Sequence, residues 1–157
     1  MNKEFFTKEV LAMERSLYRI AISYVGQDAD ACDAVQQALL KAWNKRYSLR
    51  ELKYFRTWLI RILINCCKNM LKLKKREVLV LDVETIANNK NSEQNYELYK
   101  ALNTLNEKHR IVLLLHYLEG YKIEEIASIL HIPAGTVKSR LNKARKDIKI
   151  ILEEELS

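Results

Sequence analysis

The stretch IPAGTVKSRLNKARKDIK, residues 132–149, carries six basic side chains in eighteen positions and repeats an apolar residue every three or four. Val137, Leu141, Ala144 and Ile148 follow one another at spacings of four, three and four, which lays them on one face of a helix. The remaining positions, Lys138, Ser139, Arg140, Asn142, Lys143, Arg145 and Lys146, are mostly hydrogen-bond donors, a surface suited to an acceptor-rich partner. Just upstream, IEEIASIL at residues 123–130 is a second short amphipathic segment, with Ile126, Ala127 and Leu130 expected inward. Only His131, Ile132 and Pro133 separate the two, and two short helices joined by so tight a turn make a helix-turn-helix. That motif docks the N-terminal end of its second helix in the major groove of DNA. Pro133 is expected in the opening turn of the second helix, where its missing N–H costs little, and Gly135 leaves room for a phosphate or a base edge. A bare helical hairpin is the alternative, and the donor-rich outer face speaks against it.

The same helical grain runs outward through the chain. Three Gly and one Pro punctuate 157 residues, and Val, Ile and Leu recur at helical rather than alternating spacing, so the expected class is all-α. With 48% apolar residues the chain can bury a core. Helical periodicity holds from about Lys3 to Met70, lapses from Glu77 to Asn95, where NNKNSEQN offers nothing to bury, and resumes near Tyr96. The expectation is therefore two small helical domains, residues 1–72 and 96–157, joined by a flexible linker over 73–95. So long a tether implies that something else fixes the lobes' relative position.

The formal net charge of +7 points to a polyanionic partner, with nucleic acid first and an anionic membrane surface second. Between Lys53 and Arg76 stand eight basic residues and no acid, interleaved with Tyr54, Phe55 and Trp58. Cations among aromatics suit single-stranded nucleic acid, where phosphates are neutralised and bases stack. For Trp58 a core-filling role is an equal reading. No apolar run approaches the length of a bilayer span, and the opening MNKEFFTKEV carries acids where a signal peptide is apolar, which reads as intracellular. Cys32, Cys66 and Cys67 fit neither a disulfide framework nor zinc spacing, and His109, His116 and His131 are scattered, so no metal is expected. The chain carries no phosphate-binding glycine loop and no nucleophile with a base, so neither a cofactor, a small-molecule substrate nor an enzymatic activity is expected. Asp30, Asp33 and Gln37 share a helical face, which can meet a basic coiled coil or serve the helix dipole; the residues alone leave both open.

The run LNTLNEKHRIVLLLHYLEGYKIEEIASILHIPAGTVKSRLNKARKDIKIIL, Leu102 to Leu152, resembles region 4 of bacterial sigma-70 family factors of the extracytoplasmic-function group. DADACDAVQQALLKAW, Asp28 to Trp43, resembles the family's region 2.2, and FRTWLIRILINCCKNML, Phe55 to Leu71, its regions 2.3 and 2.4. The resemblance covers nearly the whole chain, in family order, and the absence of a helical domain between the lobes matches this group, which lacks region 3. It implies a sigma factor that binds core RNA polymerase and directs promoter-specific transcription initiation in the cytoplasm. Asp30, Asp33, Gln36, Gln37 and Leu40 would dock on the clamp helices of the polymerase's largest subunit, with the flap of the second-largest as a further contact. The segment Asn44 to Phe55 falls where the family captures a flipped minus-10 base. Lys53, Tyr54, Arg56, Trp58, Arg61 and Asn65 would meet minus-10 DNA. Thr136, Lys138, Ser139, Arg140, Lys143 and Arg145 would meet the minus-35 duplex, with Arg140 as base reader and Lys138, Lys143 and Arg145 on phosphates. An anti-sigma factor is an implied partner. Cys32 and Gln37 stand where the family more often has glutamates, Lys122 where it has a Ser or Thr cap, and His131 where a turn glycine is common. An autonomous helix-turn-helix regulator is the rival, and it leaves the N-terminal lobe unexplained; a nuclease would need clustered carboxylates or a metal site.

Overall fold

A computed structural model describes residues 1–74 and 101–156, with side chains described to residue 154. The described residues are helical with connecting turns and contain no strand, which bears out the all-α expectation. The chain divides into two compact units, residues 1–79 and 80–157. The linker expected over 73–95 lies, from residue 75 onward, outside the described residues.

The first unit begins with α1 (Lys3–Ala12), started by Asn2, whose side-chain oxygen accepts from the Phe5 N–H at 2.8 Å. The chain bends at buried Met13 and continues as α2 (Glu14–Val25). From Ile20 to Val25 every residue of α2 is buried, so this helix ends in the middle of the unit rather than on its surface. It stops at Gly26, whose φ of 75° is the left-handed conformation that glycine adopts without a Cβ clash. The next helix, α3 (Asp28–Asn44), buries only alanines, Ala31, Ala34, Ala38 and Ala42, a stripe of small side chains that lets neighbouring helices approach closely. Two 3-10 turns, Arg46–Ser48 and Leu52–Tyr54, lead into α4 (Phe55–Leu73). This helix buries Phe55, Leu59, Ile60, Leu63, Ile64, Cys66 and Cys67 against α2 and α3. Phe55, counted at the sequence level among the aromatics that accompany the basic run, is 1% exposed and belongs to this core.

Among the described residues of the second unit, 101–103 are helical and α5 (Glu107–Leu113) follows, whose Asn106 cap accepts from the His109 N–H at 3.0 Å. Over Leu114–Leu118 the helix widens to a π turn, closed by the Glu119 N–H on the Leu114 carbonyl. A short turn through Gly120, φ 78°, reaches α6 (Ile123–Leu130), and α7 (Ala134–Leu156) completes the unit. Val137, Leu141 and Ala144 are buried as their spacing predicted, with Ile148 half-buried below them. On α6 the buried pair is Ile126 and Ile129; Ala127 and Leu130, expected inward, are only half-buried because the helix rests on α7 by the Ile126–Ile129 side. Pro133 stands one residue before α7 and its carbonyl accepts from Thr136 and Val137, so it caps the helix rather than forming its first turn.

Candidate nucleic-acid interface

In the first unit, Tyr54, Trp58, Arg61 and Asn65 recur at spacings of four, three and four, and therefore line one side of α4, away from its buried face. Tyr54 and Asn65 are exposed; Trp58 and Arg61 are half-buried. The Trp58 ring leans on the buried Phe55, centroids 5.8 Å apart, so it fills space and presents an edge at once. Lys53 lies in the turn beside them, 3.3 Å from Glu51 and 5.0 Å from the Tyr54 ring centroid. Its hydrogen bond with Glu51, and then Tyr54, raises its pKa, so it stays a cation. Arg56 is placed differently. It falls roughly half a turn around α4 from Trp58, Arg61 and Asn65, and its Nε donates to Glu9 of α1 at 3.0 Å.

The loop between α3 and α4 carries a feature that composition did not single out. The Arg46 guanidinium lies 4.0 Å from the Trp43 ring centroid and 4.5 Å from that of Tyr47. It donates to the Trp43 carbonyl at 2.8 Å and to the Tyr47 hydroxyl at 3.1 Å. The legible signal was a Trp, an Arg and a Tyr within five residues, WNKRY, at a helix end.

On α3, Asp33, Gln36, Gln37 and Leu40 are exposed, and Leu40, with 67% of its surface open, is an apolar side chain on a helix that has alanines to bury. Asp30, half-buried, forms an ion pair with Lys74 just past the end of α4, and Asp28 accepts from the Tyr18 hydroxyl. No side chain caps the start of α3, so neither carboxylate serves as a helix cap. Cys32 on the same helix is exposed, and its thiol is pushed up by partial burial and then by Asp28 and Asp33. Cys66 and Cys67 are buried, and burial pushes the Cys66 thiol up against the opposing pull of Lys41.

In the second unit the six donors of α7 divide into two flanks and a crest. Opposite the buried Val137–Leu141–Ala144 stripe stands Ser139, whose hydroxyl donates back to the Gly135 carbonyl at 3.0 Å. Thr136, Arg140 and Lys143 run down one flank, and Lys138 and Arg145 down the other, as a period of about 3.6 residues requires. Among the described residues Arg140 and Lys138 have no ion-pair partner, whereas Lys143 reaches Asp147 at 3.2 Å. Arg145 bonds the Tyr117 hydroxyl and, at 3.1 Å, the Asn142 side-chain oxygen. It also lines, with Leu102, Leu113, Tyr117, Leu118 and Ile148, an apolar cavity of about 210 Å³. A Cβ added at Gly135 would meet nothing within 4 Å, so the start of α7 is open to an approaching partner. Lys122 offers α6 no acceptor, and the start of that helix is held from one side only, by Glu125 accepting the Lys122 N–H at 2.9 Å.

Among the described residues no helix is long and apolar enough to cross a membrane, and no group of His, Cys, Asp and Glu is gathered for a metal ion.

Residues 10–77 match the family model described as sigma-70 region 2, and residues 96–148 that described as sigma-70, region 4. The chain is 33% identical to RNA polymerase sigma factor SigV of Bacillus subtilis, over 99% of this chain and 98% of that one. It is 31% identical to the ECF RNA polymerase sigma-E factor of Escherichia coli K12, over 94% and 86% respectively. Among solved structures it resembles the sigma factor RpoE of Bartonella quintana, bound to the anti-sigma factor NepR, with TM-score 0.79, 28% identity and coverage of 94% and 96%. CnrH, bound to the cytosolic domain of CnrY, shares the fold at TM-score 0.72 and 21% identity.

Proposed function

The chain belongs to the sigma-70 family, in the extracytoplasmic-function group of transcription initiation factors, and we propose how its two lobes divide that work. The observation that carries this division is that both matched regions occur in order and each carries its own donor-rich face. Core RNA polymerase supplies the catalysis, in the cytoplasm; the chain itself performs no covalent step.

Asp30, Asp33, Gln36, Gln37 and Leu40 form the docking face for the clamp helices of the largest subunit. Exposed Leu40 supplies an apolar anchor among polar residues. With Cys32 and Gln37 in place of acids this face is less negative, so affinity for the clamp leans on Leu40 more than on charge. The Asp30–Lys74 pair is partly exposed and so weakly held that it can exchange for a polymerase cation. The apolar cavity beside Arg145 is the surface we assign to the flap of the second-largest subunit.

The minus-10 element meets Lys53, Tyr54, Trp58, Arg61 and Asn65. Flipping a base out of the duplex costs a few kcal/mol of stacking and pairing, which contacts to the unpaired base offset. Arg61 takes phosphate and Asn65 a base edge. Arg56 contributes by holding α4 to α1 through Glu9 and meets DNA only by exchanging that carboxylate for a phosphate. At minus-35, Arg140 reads a guanine through two hydrogen bonds, with Thr136 and Lys143 beside it, while Lys138 and Arg145 on the other flank meet the second wall of the groove. Ser139 completes the set at the crest. An anti-sigma factor that covers the docking face is the regulatory partner, as NepR partners RpoE.

The test is run-off transcription from a promoter library with core polymerase, with and without this chain. Transcripts that depend on the chain and share two elements at fixed spacing are expected. If none appear while the chain alone binds duplex DNA with sequence preference, an autonomous regulator replaces this reading.

A further inference from the structure

The Trp43, Arg46 and Tyr47 contacts do not end within their loop. Behind Trp43 stands Phe6 of α1, ring centroids 5.1 Å apart and edge-on, and Phe6 in turn meets Phe55 at 5.7 Å. Phe55 meets Trp58. One continuous series of contacts, edge-on or tilted between the aromatic rings, thus runs from Tyr47 through Arg46, Trp43, Phe6 and Phe55 to Trp58 on the face assigned to minus-10 DNA. Four of its six members are carried by α1 and by the ends of α3 and α4 that face each other across the loop, and Arg46 and Tyr47 sit in the loop itself.

A guanidinium is planar and can stack on two rings at once, which an ammonium cannot. Arg46 does this while both of its terminal nitrogens are engaged, one by the Trp43 carbonyl and one by the Tyr47 hydroxyl. Its side chain is thereby held by two rings and two hydrogen bonds, and it is not available as a roaming phosphate ligand. Tyr47 is covered on the Arg46 side and 76% of its surface is open. A tyrosine in a loop normally loses side-chain freedom when a ligand stacks on it; one already stacked on a fixed guanidinium has lost it beforehand.

We propose that Arg46 is a positioning residue: wedged between Trp43 and Tyr47, it turns the outward face of Tyr47 into a fixed stacking platform for one unpaired promoter base. Through Trp43, the platform depends on Phe6 of the N-terminal helix. The proposal rests on the sigma-factor reading and adds to it the residue that receives the base, the residue that fixes it, and a role for Phe6, which lies before the matched residues 10–77. Because every base has a π face, the platform contributes affinity and strand opening; the choice of base falls to hydrogen-bonding groups elsewhere in the loop.

The experiment measures open-complex formation by the full chain with core polymerase, on a promoter recognised by the wild type. A parallel set of templates carries single abasic sites through the non-template minus-10 strand. Tyr47→Ala is expected to weaken open-complex formation about tenfold, the scale of one lost base–aromatic stack. At one abasic position the wild type is expected to show the same loss, and Tyr47→Ala no further loss there. Arg46→Lys keeps the charge and is expected to reproduce most of the defect, Tyr47→Phe to keep most activity, and Phe6→Leu to show a partial defect. Binding to core polymerase, measured for each variant, is expected to stay unchanged, which separates positioning from a damaged lobe. Wild-type behaviour of Arg46→Lys, or losses that add at every abasic position, overturns the proposal and leaves the sigma-factor reading standing. A wild-type chain that opens no promoter overturns both.

Discussion

His131 closes α6 with φ 57° and ψ 46°, a left-handed conformation that places its Cβ against the following carbonyl. The geometry is needed because the Ile132 N–H must return to the Ala127 carbonyl, at 3.1 Å, before α7 can start. Glycine at this position meets no such clash. His131→Gly is therefore expected to stabilise the second unit by about 1 kcal/mol, read as a rise in its urea midpoint. The thiols give a residue-scale expectation of opposite kind. Cys66 and Cys67 are buried and Cys32 is exposed, so native alkylation should modify Cys32 alone. Its pKa is raised, which means less thiolate at a given pH than an ordinary cysteine carries. The sign follows: at about pH 8 its alkylation should lag that of a small thiol of ordinary pKa, and its rate should still be climbing where that thiol has levelled off. Mass spectrometry after timed quenching checks both.

Along α7, the division of donors into two flanks separates two kinds of contact that a list of basic residues would merge. Arg140, half-buried and without an ion-pair partner among the described residues, can aim its fork at one base. Arg140→Ala is expected to cost about 1–3 kcal/mol at minus-35 and to relax preference at a single base pair. Lys138 is exposed on the other flank, and Lys138→Ala should weaken binding evenly across sequences and lower the salt slope by about one. Promoter titrations with single-base variants at several salt concentrations distinguish the two. If both variants relaxed the same base pair, the assignment of flanks would be wrong. On α4 the same logic sets Arg61 and Asn65, which share a face with Trp58, apart from Arg56, which is held to α1.

At the scale of the chain, two compact units each enclose a core of their own. The first is built around the apolar end of α2, and the second around Ile111, Leu115, Ile126, Val137 and Leu141. Because each unit is compact by itself, residues 1–79 and 80–157 expressed separately are each expected to fold with helical circular dichroism and a cooperative melt. The combined spectrum of the two fragments should match that of the whole chain. A fragment that stays unfolded would show that the units support each other. The net charge of +7 acts at this scale too, and it resides in the first unit, since residues 80–157 hold 11 basic and 12 acidic side chains; the first unit therefore supplies the long-range steering toward promoter DNA, and association falls with salt.

Helix identity and helix faces were legible in the chain because a period of about 3.6 is a local property: the Val137–Leu141–Ala144 stripe, the helix-turn-helix and the all-α class all follow from neighbours within a few positions. The motif order, region 2 before region 4, was legible from the resemblance of residues 28–43, 55–71 and 102–152 to the family's regions, which needs no knowledge of how helices pack. What the tertiary structure alone decided is which side chains are already engaged. Arg56 is tied to Glu9, 47 positions away, and Asp30 to Lys74, 44 positions away. Phe55 is drawn from a basic surface run into the core by Phe5 and Phe6. The contacts of Arg46 with Trp43 and Tyr47 are local, but their continuation to Phe6 exists only because α1 packs behind Trp43. Such pairings depend on the packing of distant segments, and no local periodicity encodes them.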